Sequence, residues 1–151
     1  IKRIKEMGYQ IKLDTNGTNP SMLRSLYEQQ LLDYVAMDIK NSLDSYSKTA
    51  GISTQTFASL KPALLESVSL IQTSGIDYEF RTTVVNELHT AEDFKKIGQW
   101  IYGAKAYYLQ SYEDSPQVIQ PGFHPHSKDT LQAFISLLKP YIENVELRGI
   151  Q

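Results

Sequence analysis

The sequence predicts an α/β protein in which helices alternate with the strands of a parallel sheet. Three observations indicate this fold class. Apolar residues recur at helical spacing in several segments, short stretches rich in Val, Thr, Tyr and Phe lie between them, and the two kinds of segment alternate strictly. Strict alternation favours parallel strands joined by right-handed crossovers. The 151 residues fit one domain, and the five predicted strands are too few to close an eight-stranded barrel.

The order of the elements follows from the apolar pattern and from residues that begin or end helices. Gly8 ends the first helix, because glycine is favoured just past a helix terminus. Asn16-Gly17 is a turn signal after the first strand, and Pro20 suits the first position of the second helix. The predicted elements are helix 1–7, strand 9–15, helix 20–30, strand 33–39, a polar loop 41–51 with a helical turn at 44–48, helix 56–73, strand 77–85, helix 90–102, strand 104–112, a loop 113–126, helix 127–138 and strand 144–150.

Helix signals mark the second half of the chain as well. Pro62 is expected in the first turns of the long central helix, where proline is tolerated, and Gly75 follows its end. Thr90 is expected to cap the next helix, with Asp93 at its third position, which is the pattern of a capping box. Ser127 is expected to cap the last helix.

Composition excludes several classes of function. The net charge is −2 and the lysines and arginines are scattered, so no basic surface for nucleic acid or anionic membrane is indicated. No apolar run approaches the roughly 20 residues that a membrane helix needs. The absence of cysteine excludes disulfides, thiolate nucleophiles and cysteine-ligated metal or iron–sulfur sites within these residues. The chain does not begin with Met, so we expect it to be part of a longer protein.

Two short stretches, 12–17 and 35–40, change from apolar to polar residues where predicted strands end. The carboxyl ends of parallel strands lie at the same rim of a sheet, and α/β proteins bind their ligands at that rim. We therefore expect the carboxylates of Asp14 and Asp38, the hydroxyl of Thr15 and the ammonium of Lys40 to converge on one spot, although the two stretches are distant in sequence.

Four segments together carry a resemblance to a known family. They are Leu13-Asp-Thr-Asn-Gly17, Ala36-Met-Asp-Ile-Lys40, Glu79-Phe-Arg-Thr-Thr-Val-Val85 and Leu147-Arg-Gly149. In this order and spacing they resemble the radical S-adenosylmethionine activating enzymes. The resemblance is greatest to the anaerobic ribonucleoside-triphosphate reductase activating protein group, with pyruvate formate-lyase activating enzyme as a relative, and it covers nearly the whole chain.

The sequence lacks the part of that family that binds its cluster. Family members carry an upstream Cys-x3-Cys-x2-Cys loop that holds a [4Fe–4S] cluster, followed by a Gly-Gly-Glu-Pro strand end, and neither is present here. The resemblance therefore implies a carboxyl-terminal fragment without the cluster-binding region, folded as the later part of a (β/α)6 partial TIM barrel. Such a fragment is expected to lack the cluster, tight cofactor binding and activity.

The resemblance also implies a cofactor site for S-adenosylmethionine, formed by Asp14, Thr15, Asn16, Asp38, Lys40 and Arg81. Asp14 and Asp38 would hold a monovalent cation beside the sulfonium, helped by main-chain oxygens near Thr15 and Ala36. Asp38 and Lys40 would lie near the ribose, and Arg81 near the carboxylate of the cofactor.

Another part of the implied cofactor site is a loop. The loop after strand 104–112 would border the adenosine. It carries Glu113 where the lyase relative has a histidine, so no contact from that position is expected.

The function implied by the resemblance is the generation of a glycyl radical on an anaerobic partner enzyme. The partner would be an anaerobic ribonucleoside-triphosphate reductase or a pyruvate formate-lyase-like enzyme, an external electron donor would be needed, and the protein would be cytoplasmic. Two alternatives remain. One is a non-catalytic α/β domain that binds a small anionic or nucleotide ligand. The other is an aldolase or hydrolase piece with Lys40 as nucleophile, which the nearby Asp38 disfavours because a carboxylate stabilises the charged ammonium.

Several residues have simpler interpretations. Arg81 could pair with Glu79 on the same face of its strand. His124 and His126 have the spacing of a metal site, but a solvated loop is favoured because no further ligand is close in sequence. His89 is expected to make local hydrogen bonds before the Thr90 cap. The residues expected to be core are Tyr78, Phe80, Trp100, Tyr107, Tyr108 and Tyr112.

The strand at 9–15 is expected to have an unpaired edge, with apolar Ile11 and Leu13 beside it. An unpaired strand edge can pair with another chain. We expect either a dimer through this edge or a rearranged amino terminus.

Overall fold

A computed structural model describes residues 1–113 and 122–149 of the protein. Its helices are α1 (Lys2–Glu6), α2 (Pro20–Glu28), α3 (Tyr46–Ala50), α4 (Thr54–Thr73), α5 (Ala91–Trp100) and α6 (Lys128–Leu138). Its strands are β1 (Lys12–Thr15), β2 (Tyr34–Asp38), β3 (Asp77–Val84), β4 (Ala106–Ser111) and β5 (Asn144–Arg148). All predicted helices and strands are present, and α3 is the helical turn expected in the 41–51 loop. The predicted loop 113–126 lies largely outside the described residues.

The five strands form one parallel sheet in the order β1-β2-β3-β4-β5. At least one helix lies in the sequence between each pair of neighbouring strands. In the sheet register, Asp38 of β2 is opposite Arg81 of β3, and Arg81 is opposite Tyr108 of β4. The predicted α/β fold is therefore confirmed, and the carboxyl ends of all five strands share one rim.

The two faces of the sheet differ in chemistry because successive strand residues point to opposite sides. One face is apolar and packs with the helices into a single core, to which it contributes Val35, Met37, Tyr78, Phe80, Val84, Tyr107 and Leu109. The other face, here called the polar face, carries Lys12, Asp14, Tyr34, Ala36, Asp38, Glu79, Arg81, Thr83, Tyr108, Gln110, Glu146 and Arg148. This face is where charged side chains from neighbouring strands can meet.

Local signals set the helix boundaries. The side chain of Thr90 accepts a hydrogen bond from the Asp93 amide, and the Asp93 carboxylate accepts one from the Thr90 amide, so the capping box is confirmed. Ser127 also caps α6 as predicted.

The prediction for Pro62 is wrong. Ser53 caps α4 by accepting a hydrogen bond from the Thr56 amide, so the helix begins earlier than expected. Pro62 therefore lies in the third turn of α4, inside the helix rather than at its start.

Strand β1 lies at one edge of the sheet and pairs only with β2 among the described strands. Ile11 and Leu13 are partly buried against the core. The unpaired edge is thus observed, while pairing through it with a second chain stays a prediction.

Among the described residues, no helix is both long enough and apolar enough to cross a bilayer.

Candidate functional site

Three strands bring charged side chains together at the carboxyl rim of the polar face. One terminal nitrogen of Arg81 on β3 lies 2.9 Å from Asp14 on β1 and 3.0 Å from Asp38 on β2. Nε of Arg81 donates a second hydrogen bond, of 3.1 Å, to the same Asp38 oxygen. Lys40 follows β2, and its Nζ lies 3.7 Å from the other Asp38 oxygen. We call Asp14, Asp38, Lys40 and Arg81 the rim cluster.

The rim cluster is a balanced and accessible set of charges. Two carboxylates face two cations, so the formal charges of the cluster cancel. The Arg81 side chain is only 19% exposed, whereas the Asp14 side chain is 60% exposed. Arg81 is therefore the fixed centre of the cluster, and both carboxylates are open to solvent. Arg81 also pairs with Glu79, as the simpler interpretation expected, but that ion pair is 4.0 Å long, so Asp14 and Asp38 are the nearer partners of Arg81.

Thr15 and Asn16 use their side chains to form the turn after β1. The Thr15 hydroxyl accepts a hydrogen bond from the Gly17 amide at 3.1 Å. The Asn16 side-chain oxygen accepts bonds from the amide and hydroxyl of Thr18, at 3.1 and 2.8 Å. These bonds are the side-chain-to-backbone turns that such residues favour. Both residues lie at the rim, as predicted, but the expectation that the Thr15 hydroxyl joins the charged groups there is wrong, because this hydroxyl closes the turn.

A second charged network lies deeper on the polar face, around Glu79. The Glu79 side chain is 2% exposed and forms a bidentate pair with Arg148 of β5, at 3.1 and 3.0 Å. The Tyr34 hydroxyl donates to Glu79 at 2.9 Å, and Lys12 Nζ lies 3.4 Å away. The guanidinium of Arg148 stacks on the Tyr108 ring, 3.3 Å from its centre. We call these five residues the Glu79 network.

The environment of the Glu79 network shifts two pKa values. Burial by itself would raise the pKa of Glu79, but hydrogen bonds from Arg148 and Tyr34 outweigh it and hold the pKa below its usual value. Burial, together with the Glu79 carboxylate, raises the pKa of Tyr34 to about 12. The network thus consists of an ionised carboxylate, a neutral phenol and cations. The prediction that Tyr108 belongs to the core is wrong, because its ring lies on the polar face beneath Arg148.

The segment after β2 is held by a buried polar network that the sequence analysis missed. His89 is only 1% exposed. Its Nε2 forms a hydrogen bond of 2.9 Å with the backbone oxygen of Lys40. Asn41 and Ser42 are fully buried, and the Ser42 hydroxyl donates to Asp93 at 2.8 Å. His89 was predicted to make local hydrogen bonds, and it makes one with Val85. It also contacts Lys40, which is 49 residues away in the sequence. No spacing in the sequence reveals that contact.

The remaining histidines do not form a metal site. His124 pairs with Glu87 at 2.6 Å, and His126 Nε2 lies 3.0 Å from the backbone oxygen of His89. Within residues 1–113 and 122–149, no group of three or more His, Cys, Asp or Glu could hold a metal ion. The loop that was expected to border the adenosine falls mostly outside this range, although Glu113 lies within it and is exposed.

Of the cavities that border the rim cluster, two share Lys40. One, of about 130 Å³, is lined by Asp38, Lys40, Arg81 and His89 among others. The other, of about 470 Å³, lies beside Lys40, Tyr46, Ile52 and Leu60. The rim therefore has room for a small molecule next to fixed charges of both signs.

The donor set can be compared with the two groups implied by the resemblance. S-adenosylmethionine carries a sulfonium, an amine and a carboxylate, and the rim cluster offers carboxylates for the two cations and an arginine and a lysine for the anion. The residues therefore fit that cofactor. A [4Fe–4S] cluster is held by cysteine thiolates, and the chain contains none, so these residues do not fit the cluster.

Fold and site together define a class of protein: a parallel α/β sheet with its charged residues at the carboxyl rim, as in barrel-type enzymes. A solved structure, a radical SAM methyltransferase from Sphaerobacter thermophilus, matches this fold with a TM-score of 0.70 at 15% identity. The match covers 95% of this chain and 42% of the methyltransferase chain. The chain thus has the fold of part of a radical SAM enzyme, as predicted.

A sequence relative narrows this class. Over 148 residues the chain is 29% identical to a protein of Methanocaldococcus jannaschii named "Putative glycyl-radical enzyme activating enzyme". The alignment covers 97% of this chain and 61% of the relative, so the chain spans about three fifths of that protein's length. No family model matches the chain. The two similarities confirm the predicted resemblance to the radical S-adenosylmethionine activating enzymes.

Proposed function

We propose that this chain is the later part of a radical S-adenosylmethionine enzyme that generates a glycyl radical on a partner enzyme. The observation that carries the proposal is the rim cluster, in which Arg81 joins Asp14 and Asp38 from three neighbouring strands. The similarity to the M. jannaschii protein supports the same function. The partner would be an anaerobic ribonucleoside-triphosphate reductase or a pyruvate formate-lyase-like enzyme, and an external reductant would supply the electron.

The rim cluster would bind and orient the cofactor. On reductive cleavage, S-adenosylmethionine supplies a 5′-deoxyadenosyl radical, and the protein contributes placement and exclusion of water. Asp38 and Lys40 would bind the ribose hydroxyls, and Arg81 would attract the carboxylate through the terminal nitrogen that does not contact Asp14 or Asp38. The ligands of the [4Fe–4S] cluster would come from outside these 151 residues, since cysteine is absent.

Asp14 and Asp38 would also be the anionic ligands of a monovalent cation. Arg81 already contacts one oxygen of each carboxylate, so such an ion would use the remaining oxygens or take the place of the guanidinium. Thr15 and Asn16 would contribute through their main chain, because their side-chain oxygens close the turn after β1. Radical cleavage of S-adenosylmethionine is sensitive to oxygen, which fits a cytoplasmic protein.

The test uses the full-length natural protein, reconstituted with iron and sulfide in the absence of oxygen. The unaltered protein should bind S-adenosylmethionine and form 5′-deoxyadenosine when reduced. Arg81→Gln should weaken cofactor binding by about tenfold or more, since a charge-assisted partner is lost. Arg24→Gln is the matched control, because Arg24 pairs with Glu66 at an exposed site on the helical side.

The same measurements separate the alternatives. A protein that binds S-adenosylmethionine but forms no 5′-deoxyadenosine would be a binding domain, and the radical function would be rejected. The aldolase alternative is disfavoured by the structure, because Lys40 is 47% exposed and 3.7 Å from Asp38. A nucleophilic lysine needs an apolar pocket or a neighbouring cation instead.

A further inference from the structure

The backbone just after β2 is fixed by His89, which lies in the connection between β3 and α5. His89 is buried, and both of its ring nitrogens contact backbone groups. Nδ1 lies 3.0 Å from the amide nitrogen of Val85, which must donate, so Nδ1 accepts. Nε2 therefore carries the proton and donates to the carbonyl oxygen of Lys40 at 2.9 Å. The imidazole is held neutral in one tautomer.

The same stretch of backbone is held at further points by buried side chains. The Asn41 amide donates to the carbonyl oxygen of Leu88 and to Thr49, both at 2.8 Å. The hydroxyls of Ser42 and Ser45 both donate to one oxygen of Asp93, at 2.8 and 2.7 Å.

The other oxygen of Asp93 accepts from the amide and hydroxyl of Thr90 at the start of α5. The connection after β3 thus clamps the connection after β2.

The clamp lies directly behind the rim cluster. Lys40 is the residue whose carbonyl His89 holds, and its ammonium lies 3.7 Å from Asp38. Asp38 in turn receives two bonds from Arg81. His89 and Arg81 also line the same 130 Å³ cavity.

A shift of the Lys40 backbone would therefore move two groups of the rim cluster at once. Small misplacements of binding groups lower affinity and rate steeply.

We propose that His89 is a positioning residue of the rim site, which sets the placement of Lys40 and Asp38 for the ligand through its bond to the Lys40 carbonyl. The proposal rests on the proposed function for the identity of the ligand, but not for the clamp itself. His89 touches no reacting group. It acts through the backbone of Lys40.

Two substitutions separate positioning from general stability. Glutamine at position 89 places its amide nitrogen near the position of Nε2, so His89→Gln can still donate to the Lys40 carbonyl. Asparagine is shorter, so His89→Asn can accept from the Val85 amide but cannot reach Lys40. Both variants lose one of the two bonds, but asparagine also leaves the larger space at this buried site, so His89→Asn should lose more thermal stability. The two variants are therefore compared at temperatures at which they are equally stable.

The experiment measures two quantities in the full-length natural protein and in both variants. The first is amide hydrogen exchange across residues 40–42 without any ligand. The second is the affinity for S-adenosylmethionine. We expect His89→Asn to speed the exchange and to weaken binding by about tenfold each, and His89→Gln to stay within about threefold of the parent.

Each outcome has a separate meaning. Equal losses in the two variants, at equal stability, would overturn the positioning role. If the parent protein does not bind S-adenosylmethionine, the proposed function fails, while the exchange measurement still decides whether His89 fixes the backbone at Lys40.

Discussion

Arg81 of β3 donates two hydrogen bonds, of 3.1 and 3.0 Å, to one carboxylate oxygen of Asp38, the residue directly opposite it on β2. The same guanidinium reaches Asp14 on β1, two strands away, at 2.9 Å. Ala36 lies between Asp14 and Glu79 in the sheet register. Its small side chain leaves the polar face open for Arg81 to reach across β2.

The first prediction concerns Ala36, which is fully buried on the polar face. Ala36→Leu should destabilise the protein by about 1–3 kcal/mol, because extra methylene groups enter a filled site. It should also separate Arg81 from Asp14 and weaken ligand binding at the rim. Denaturant unfolding measures the first effect and equilibrium binding the second. The control is Ala58→Leu on the exposed side of α4, where the unfolding free energy should change by no more than about 0.5 kcal/mol. Equal losses of stability at the two positions would contradict the prediction.

The second prediction concerns Glu79, which holds Arg148 in a bidentate pair. Glu79→Gln should cost about 2–3 kcal/mol of unfolding free energy, because the cation at Arg148 loses its partner. The cost lies at or below the lower end of the roughly 3–5 kcal/mol typical of broken buried pairs, since the Arg148 side chain is 39% exposed and stays hydrated. Glu143→Gln, at an exposed position, should change stability by less than about 0.5 kcal/mol. A cost for Glu79→Gln as small as that of the control would show that the pair contributes little.

The alternation of helices and strands was predictable because it depends on local patterns. Apolar spacing, the Thr90 cap and the Asn16-Gly17 turn each act within a few residues, and the fold followed from them. Parallel strands also imply that their carboxyl ends share a rim, which is why Asp14 and Asp38 could be placed together.

Other features could not be predicted, because they depend on the packing of distant segments. Glu79 and Arg148 are 69 residues apart, and their pairing depends on the register of β3, β4 and β5. The contact between His89 and Lys40 joins the connections after β3 and β2, which come together only when these two strands are paired. Pro62 was misplaced for a local reason, since the Ser53 cap was overlooked.

The third prediction concerns the pH dependence of stability. Burial lowers the pKa of His89 from its usual 6.5, and His126 lowers it further. Hydrogen bonds to Lys40 and Val85 and the nearby Asp93 carboxylate act in the opposite direction but do not outweigh the effect of burial. Because the folded-state pKa is depressed, the contribution of His89 is fully present above about pH 6.5 and is lost as pH falls toward the folded-state value.

The expected loss is about 1.4 kcal/mol for every unit by which the folded-state pKa of His89 lies below 6.5. Urea unfolding of the parent protein and of His89→Gln between pH 7.5 and 5 checks this loss. The unfolding free energy of the variant should lack the decline seen in the parent. Glu79 and Asp93, whose pKa values are also held low, act in a separate window that begins below about pH 4.5. An identical decline in the variant would assign the effect to another group.

The fourth prediction concerns Gly17, which closes the turn after β1 with a φ of +76°. A Cβ at this position would meet Cε of Met37, the far end of a flexible side chain that is fully buried beneath the turn, so Gly17→Ala adds the displacement of that side chain to the cost of a left-handed backbone. Gly51 is the matched control, with a φ of +66° and no atom within 4 Å of its would-be Cβ. Gly51→Ala should cost about 1 kcal/mol for the backbone alone, and Gly17→Ala about 2–4 kcal/mol. Combining Gly17→Ala with Met37→Ala should cost less than the sum of the two single changes, since the truncated side chain no longer meets the new methyl group. Strict additivity in denaturant unfolding would show that Met37 moves aside freely and that the turn, rather than the core beneath it, requires the glycine.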